Sequence, residues 1–407
     1  MNSAKVAASI FCLFFSVAFA NAAEVKVLAQ VNLVKADRQA SWFEADTGIL
    51  AYSENGFNVQ QGILNLSDSI SSSLSYDIVA NYYQLGQQHL GFSQAQLIYK
   101  PLSASKIRWR GRAGFFYPNM SLENVDVGWL SPYTYTQSAI NSWIGEELRV
   151  AGLELTAYSP GRSRNSPFSW EFHAAAFKAN DPLGAIITWR GFALHDRQSL
   201  NNEQIRFAAY PTVVETDRIN HPNYVEPFHE FDGRLGFYLG THLNYFRQSS
   251  MRYYYFDNQA DPNQVNQQRL YGWRTRFHSL AVQHEFNAQN RLIGQWLSGN
   301  TVMGERFVAA DFESWYLMFS HTNNEHRVSI RYDNFKVIED DVFAWDMNDS
   351  NGEALTLAWR YTINSRWQIG LEHHINTNYA ASRQSLDQEL SSHQQQSLAV
   401  LQYRWGQ

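Results

Sequence analysis

The sequence predicts an all-β protein, a transmembrane antiparallel up-and-down β-barrel of about 16 strands. Three observations lead there. Apolar and aromatic residues recur with period two almost throughout, and the i, i+3, i+4 spacing of amphipathic helices is nearly absent. The gaps between the alternating runs are short and long by turns. The chain is hydrophilic on average (mean hydropathy −0.40) and yet 15% aromatic, which fits strands whose every second residue faces a lumen.

At the N-terminus, Lys5 followed by the apolar run Val6–Phe19 reads as a secretory signal, too short to span a membrane. Ala18-Phe19-Ala20 and Ala20-Asn21-Ala22 offer small-residue cleavage sites, so residues 1–23 are expected to be removed and 24–407 to form the barrel. The single cysteine, Cys12, falls in the signal, and Ser9-Ile10-Phe11 before it is no lipoprotein box. The mature chain therefore depends on neither disulfides nor thiol chemistry. A net charge of −6 without basic clusters argues against a nucleic-acid partner.

The expected strands are 25–35, 57–67, 72–83, 91–101, 106–117, 148–159, 168–178, 231–247, 250–257, 270–286, 290–300, 308–321, 326–336, 353–363, 366–377 and 397–405. The tight connections, such as Gln248-Ser249, Asn287-Ala288-Gln289, Thr322-Asn323-Asn324-Glu325 and Asn364-Ser365, alternate with long ones at 36–56, 118–147, 179–230, 258–269, 337–352 and 378–396. An even strand number with short turns at one end and long loops at the other is the pattern of an outer-membrane barrel. Leu355, Leu357, Trp359 and Tyr361 alternate with Ala354, Thr356, Ala358 and Arg360, which puts the first set on lipid and the second on the lumen. A lipid position such as Leu357 should reject charge, and a lumen position such as Thr356 should accept it. A soluble sandwich or propeller would instead bury one strand face and show repeats, and its arginine-bearing faces would be costly to bury. The last strand alternates Ala399, Leu401, Tyr403 and Trp405 outward and ends one residue before Gly406-Gln407.

Arg108, Arg110 and Arg112 share one face of the fifth strand, with Trp109, Gly111, Ala113 and Phe115 on the other. An arginine on lipid near the midplane costs about 2–4 kcal/mol, so these three are expected to face the lumen. Arg234, Arg274, Arg276, Arg327, Arg331, Arg360 and Arg404 are assigned to the same polar phase. Charged rings of this kind set ion selectivity. The segment after that strand, Pro118–Glu147, holds no Lys or Arg but carries Glu123, Asp126, Glu146, Glu147, Trp129, Tyr133, Tyr135 and Trp143.

In this architecture the chain resembles the sixteen-stranded porins of Gram-negative bacteria, nearest the phosphate-selective porin O/P type. The resemblance covers nearly the whole mature chain and rests on no sharp motif. It implies that the loop after the fifth strand, 118–147, folds into the barrel as a constriction, with basic wall residues facing it across an eyelet. It also implies a homotrimer in contact with outer-membrane lipid and lipopolysaccharide. The lysines expected on the constricting loop of that type are missing here; Glu123 and Asp126 stand instead. An acidic loop opposite Arg108, Arg110 and Arg112 resembles a general diffusion porin with a transverse field, modestly favouring anions. The alternative for these arginines is structural pairing with Asp77, Glu154, Glu171, Asp232 or Glu372.

Other constellations are weaker. Asp346-Met347-Asn348-Asp349-Ser350-Asn351-Gly352 resembles the start of a calcium loop, but its glycine is one place late and Leu357 stands where the bidentate Glu belongs. With Glu339, Asp340 and Asp341 it reads as a solvated external loop. His221, His229 and Glu230 lack zinc-ligand spacing, and His373 and His374 point to opposite faces of a strand. No nucleophile elbow or phosphate loop is present. The function expected is a water-filled channel for passive diffusion of small hydrophilic solutes or anions, with no cofactor, metal or turnover. The rival is a barrel serving as a surface receptor or adhesin, or carrying a hydrolase on its rim. The long loop 179–230 divides the two, because transport fails if it plugs the lumen.

Overall fold

The computed structural model describes residues 23–406; the expected signal lies outside them but for its last residue. Sixteen antiparallel strands form one closed barrel. They are β1 (Glu24–Ala36), β2 (Gly56–Ser69), β3 (Leu74–Tyr83), β4 (Leu90–Tyr99), β5 (Arg108–Phe116), β6 (Val150–Ser159), β7 (Phe168–Lys178), β8 (Gly236–Tyr245), β9 (Ser249–Asp257), β10 (Arg274–Glu285), β11 (Asn290–Met303), β12 (Val308–Asn323), β13 (His326–Glu339), β14 (Ser350–Thr362), β15 (Trp367–Ala380) and β16 (Ser391–Trp405). Each strand pairs with its neighbours in sequence, and β1 closes the ring on β16 from Val27↔Trp405 to Ala36↔Gln396. Closure leaves no unpaired edge, which lipid would not tolerate.

Every predicted strand is present. The largest boundary differences come from residues without a clean alternation. β16 begins at Ser391, not 397, and pairs there with Tyr379. Its first residues, Ser-Ser-His-Gln-Gln-Gln, are polar on both faces, so they carry no period-two signal. β8 begins at Gly236, not 231, because Asp232 turns to accept the Asp261 N–H at 2.5 Å and Gly233 adopts φ 78°.

The outer surface is apolar. Leu153 (67% exposed), Leu239, Leu317, Ile330, Leu357 and Leu371 stand outward from their strands. At the turn end, Trp109, Phe168, Tyr245, Phe246, Phe286, Trp367 and Trp405 are exposed beside the short connections and form an aromatic girdle.

The barrel's core sits in its lumen. Three long connections fold inward: 37–55, 118–147 and the first half of 179–230. The second carries helix α1 (Ala139–Glu147), every residue of which is buried. The third carries the short helix α2 (Ala185–Trp189), equally buried. Trp143 of α1 packs edge-on to Phe277 of β10 at 5.5 Å and also meets Phe312 of β12 at 5.2 Å. Trp189 of α2 meets Trp273 at 5.1 Å and Phe207 at 5.5 Å. Trp42, Phe43, Ile49, Leu50 and Tyr52 of the first loop join the same cluster. The expectation of a continuously water-filled lumen is therefore corrected: loops fill it at mid-height, and wall residues as small as Thr275, Ser279 and Thr356 are buried against them. Thr356 faces inward as expected but touches Arg331 and His374, so it has no room for a charge.

Candidate functional site

The loop 118–147 enters the barrel as the fifth-strand connection was expected to do. What holds most of it, though, is the opposite wall, β11–β16, with Arg252 of β9 binding its first residues, and not β5. Arg331 of β13 is fully buried between Glu123 and Asp333, at 2.8 Å from each. It also donates to the carbonyls of Thr136 at 2.6 Å and Gln137 at 2.8 Å. Ser138 caps α1 by accepting from Asn141 N, and Glu123 accepts from the Ser138 hydroxyl and the Asn141 amide. Asp333 accepts from Ala139 N at 3.1 Å. Two carboxylates thus sit at the positive end of the helix, with one guanidinium bridging them.

The same wall continues downward. Glu372 of β15 accepts from the backbone of Tyr135 (2.6 Å) and Thr136 (2.8 Å). Arg360 donates to the Ser131 and Thr134 carbonyls and lies over the Tyr135 ring at 3.9 Å. Arg327 donates to Pro132 O at 2.6 Å, and Arg404 binds Asp126 through both terminal nitrogens at 2.5 and 3.0 Å. Gly370 leaves room for this loop: a Cβ there would lie 2.6 Å from Tyr135 Cε2. Below the loop, a recess of about 410 Å³ opens at the turn end, lined by Asp126, His326, Arg327, Arg360, Arg366 and Arg404.

Several placements expected from the sequence change. Arg108, Arg110 and Arg112 do face inward, but Arg110 pairs with Glu171 at 2.6 Å and Arg112 grips Glu154 at 2.8 and 2.9 Å. The structural pairing holds for these two, and Glu123 and Asp126 do not approach them. An eyelet between β5 and the loop acids is not formed. Arg234 lies beyond its strand, exposed and bound to Asp261. Arg274 and Arg276 are corrected as well: they stand on the outer face of β10, where the alternation places buried Thr275 and Phe277 inward. They sit at the loop end of their strand, with Asp257 and Asn300 as partners, so they avoid the hydrocarbon zone rather than the lipid face. Arg327 and Arg331 are lumenal as expected. Asp346, read as solvated, is buried and accepts from Trp189 Nε1 at 3.0 Å and Thr212 Oγ1 at 3.2 Å. His373 and His374 do point to opposite faces.

The segment 180–203 closes the lumen above α1, and it is tied down by charge. Glu146 binds Arg190 through both oxygens at 2.6 Å, and His195 Nε2 lies 3.1 Å away. Burial pushes the Glu146 carboxyl up, but Arg190 and His195 more than offset this and hold it at about 2. Its neighbour Glu147 accepts from Trp143 Nε1 (2.6 Å) and from Ile186 N (2.8 Å) at the start of α2. With no cation on it, burial raises Glu147 to about 7. Asp196 accepts from Gln60 and Gln61 of β2; burial, then the nearby Glu372 charge, raises it to about 7. Arg197 binds Glu203 and the Leu85 and Gln88 carbonyls. Arg190, His195, Asp196 and Arg197 escaped sequence reasoning because they lie in a loop taken to be external. The signal available was the apolar run Leu183 to Trp189, out of place in a hydrated loop.

No family model matches the sequence, and no curated protein is significantly similar to it. The fold is that of the outer-membrane porins. The chain is similar to the outer membrane channel DcaP of Acinetobacter baumannii, with TM-score 0.56 and 9% identity over 94% of this chain and 98% of that one. It is similar to an anion-selective porin from Comamonas acidovorans, with TM-score 0.51 and 10% identity over 94% and 99%. A trimer form of OmpT, an outer membrane protein of Vibrio cholerae, matches with TM-score 0.52 and 7% identity over 94% and 99%. At these identities the likeness is one of fold.

Proposed function

We propose that the protein is an outer-membrane channel of the porin type that passes small hydrophilic solutes, anions before cations, and that this conformation is its closed state. The observation carrying the reading is the division of the lumen. An arginine-lined recess at the turn end leads to a constriction loop fixed to the wall, and above it a separate segment, 180–203, completes the seal. Arg327, Arg360 and Arg366 exceed the nearby Asp126 and Glu325 in that recess, which favours anions. The phosphate-selective subtype draws no added support. The apolar exterior and girdle fit a bilayer with the short turns periplasmic and the long loops toward lipopolysaccharide. Neighbours that include an anion-selective porin and an outer membrane protein in a trimer form support the outer membrane and a homotrimer. No turnover is part of the reading.

A filled lumen is also what a surface receptor or adhesin would have, and one experiment separates the two. Residues 184–202 are replaced by a Gly/Ser linker of equal length, which removes the apolar and ionic seal while keeping the wall. In a planar bilayer, the variant should conduct far more than the parent and show an anion-selective reversal potential in a salt gradient. A folded variant that conducts no more than the parent overturns the channel reading in favour of the receptor.

A further inference from the structure

We infer that the barrel wall carries a binding site for a tetrahedral divalent transition metal, formed by Glu171 and His173 of β7 with His242 of β8. The site stands whether or not the lumen conducts.

The register creates the cluster. β7 and β8 pair with His242↔Glu171 and Gly240↔His173, so three potential ligands fall within two residues of one another across a single strand pair. Their ligand atoms all lie within 4.8 Å of one another. Glu171 Oε2 is 3.4 Å from His173 Nε2 and 3.7 Å from His242 Nδ1. Ligands at 2.0–2.1 Å on the corners of a tetrahedron stand about 3.3–3.4 Å apart, so small side-chain shifts complete the geometry.

Two further features point to a ligand and not to simple pairing. The His173 ring is fully buried, yet its Nε2 makes no well-aligned hydrogen bond, its nearest acceptor being Glu171 Oε2 at 3.4 Å. A buried nitrogen left unsatisfied is costly, and this one faces the common centre. The outward nitrogens of both rings, by contrast, are supported. His173 Nδ1 meets Thr156 Oγ1 at 3.0 Å, with Glu154 behind it at 3.6 Å. His242 Nε2 meets the Asn119 carbonyl at 3.2 Å and Tyr254 OH at 2.9 Å. Metal-bound histidines are fixed in this way by a carboxylate or a backbone carbonyl on the far nitrogen. Two imidazoles and one carboxylate suit zinc, with a fourth position left for water or a solute group.

Arg110 is the competitor. Its guanidinium binds Glu171 Oε2 at 2.6 Å, so a metal ion must share or displace it. Arg112 and Arg252 add positive charge nearby, held by Glu154 and by the Asn119 and Ser121 backbone. The site should therefore bind moderately, and removing Arg110 should tighten it.

The test uses the full barrel in detergent, stripped with chelator and titrated with Co²⁺ and then Zn²⁺. One Co²⁺ per chain with the intense visible absorption of a four-coordinate ion, bleached by Zn²⁺, is expected. His173→Ala and His242→Ala should abolish the absorption while the barrel remains heat-modifiable on gels. Glu171→Gln, at a partly exposed position, serves if either histidine variant fails to fold. Arg110→Gln should tighten Co²⁺ binding by about tenfold. Absence of saturable Co²⁺ uptake, or uptake unchanged in the folded variants, overturns the site.

Discussion

Glu147 offers a direct handle on closure. Its carboxyl is buried between α1 and α2, accepts from Ile186 N and Trp143 Nε1, and is raised by burial from 4.5 to about 7. Ionising it in the closed state therefore costs about 3 kcal/mol relative to a solvated, open loop. The sign follows from proton counts. Below pH 4.5 the group is protonated in both states and takes nothing from closure. Between 4.5 and 7 only the closed state keeps the proton, so closure weakens by about 1.4 kcal/mol per pH unit. Above 7 nothing more is lost. Asp196, also raised to about 7, acts in the same direction. Glu146, held at about 2, weakens closure only as pH falls below 4.5. Mean conductance in a planar bilayer should accordingly rise from about pH 5 to about pH 7.5. Trp143 Nε1 and Ile186 N donate to different oxygens of Glu147, so Glu147→Gln keeps one of these acceptor contacts and removes one titration; the rise should shrink by about half. A wild-type conductance flat over that range, or a Glu147→Gln profile identical to wild type, would overturn the role given to this carboxyl.

Arg331→Met leaves Glu123 and Asp333 buried without their cation; unfolding in denaturant should show a loss of about 3–5 kcal/mol. Leu357→Arg places a charge on the outer face and should cost about 2–4 kcal/mol in the same measurement. Thr356→Arg, set against buried Arg331, should prove at least as damaging, contrary to what strand alternation alone expects. Trypsin added to intact cells should cut at exposed Arg234 and Arg269 in the long loops; cleavage at Arg366 in a short turn, or at buried Arg190, would contradict the orientation or the seal.

The barrel was written into the sequence in its most redundant form. Period two repeats over every strand, so a misjudged end such as Ser391 or Gly236 leaves the assignment intact. Inward placement of Arg110, Arg112, Arg327 and Arg331 followed from the same rule, because lipid penalises charge strongly enough to fix the phase. The rule failed for Arg274 and Arg276, since a strand that runs past the bilayer has water and not lipid on its outer face, so charge no longer marks the inward phase there, while Thr275 and Phe277 pack inward.

Partners were decided only by the tertiary structure. Ring closure brings β13 opposite β5, and nothing local in Glu123 indicates that it meets Arg331, or in Glu146 that it meets Arg190. Whether the lumen holds water or a core was equally hidden. A strand's inner face looks polar in either case, because polar walls can bind a folded loop's backbone as readily as they bind solvent. Closure by 180–203 depends on side chains from distant stretches converging, and convergence is a property of the closed ring, not of any segment within it.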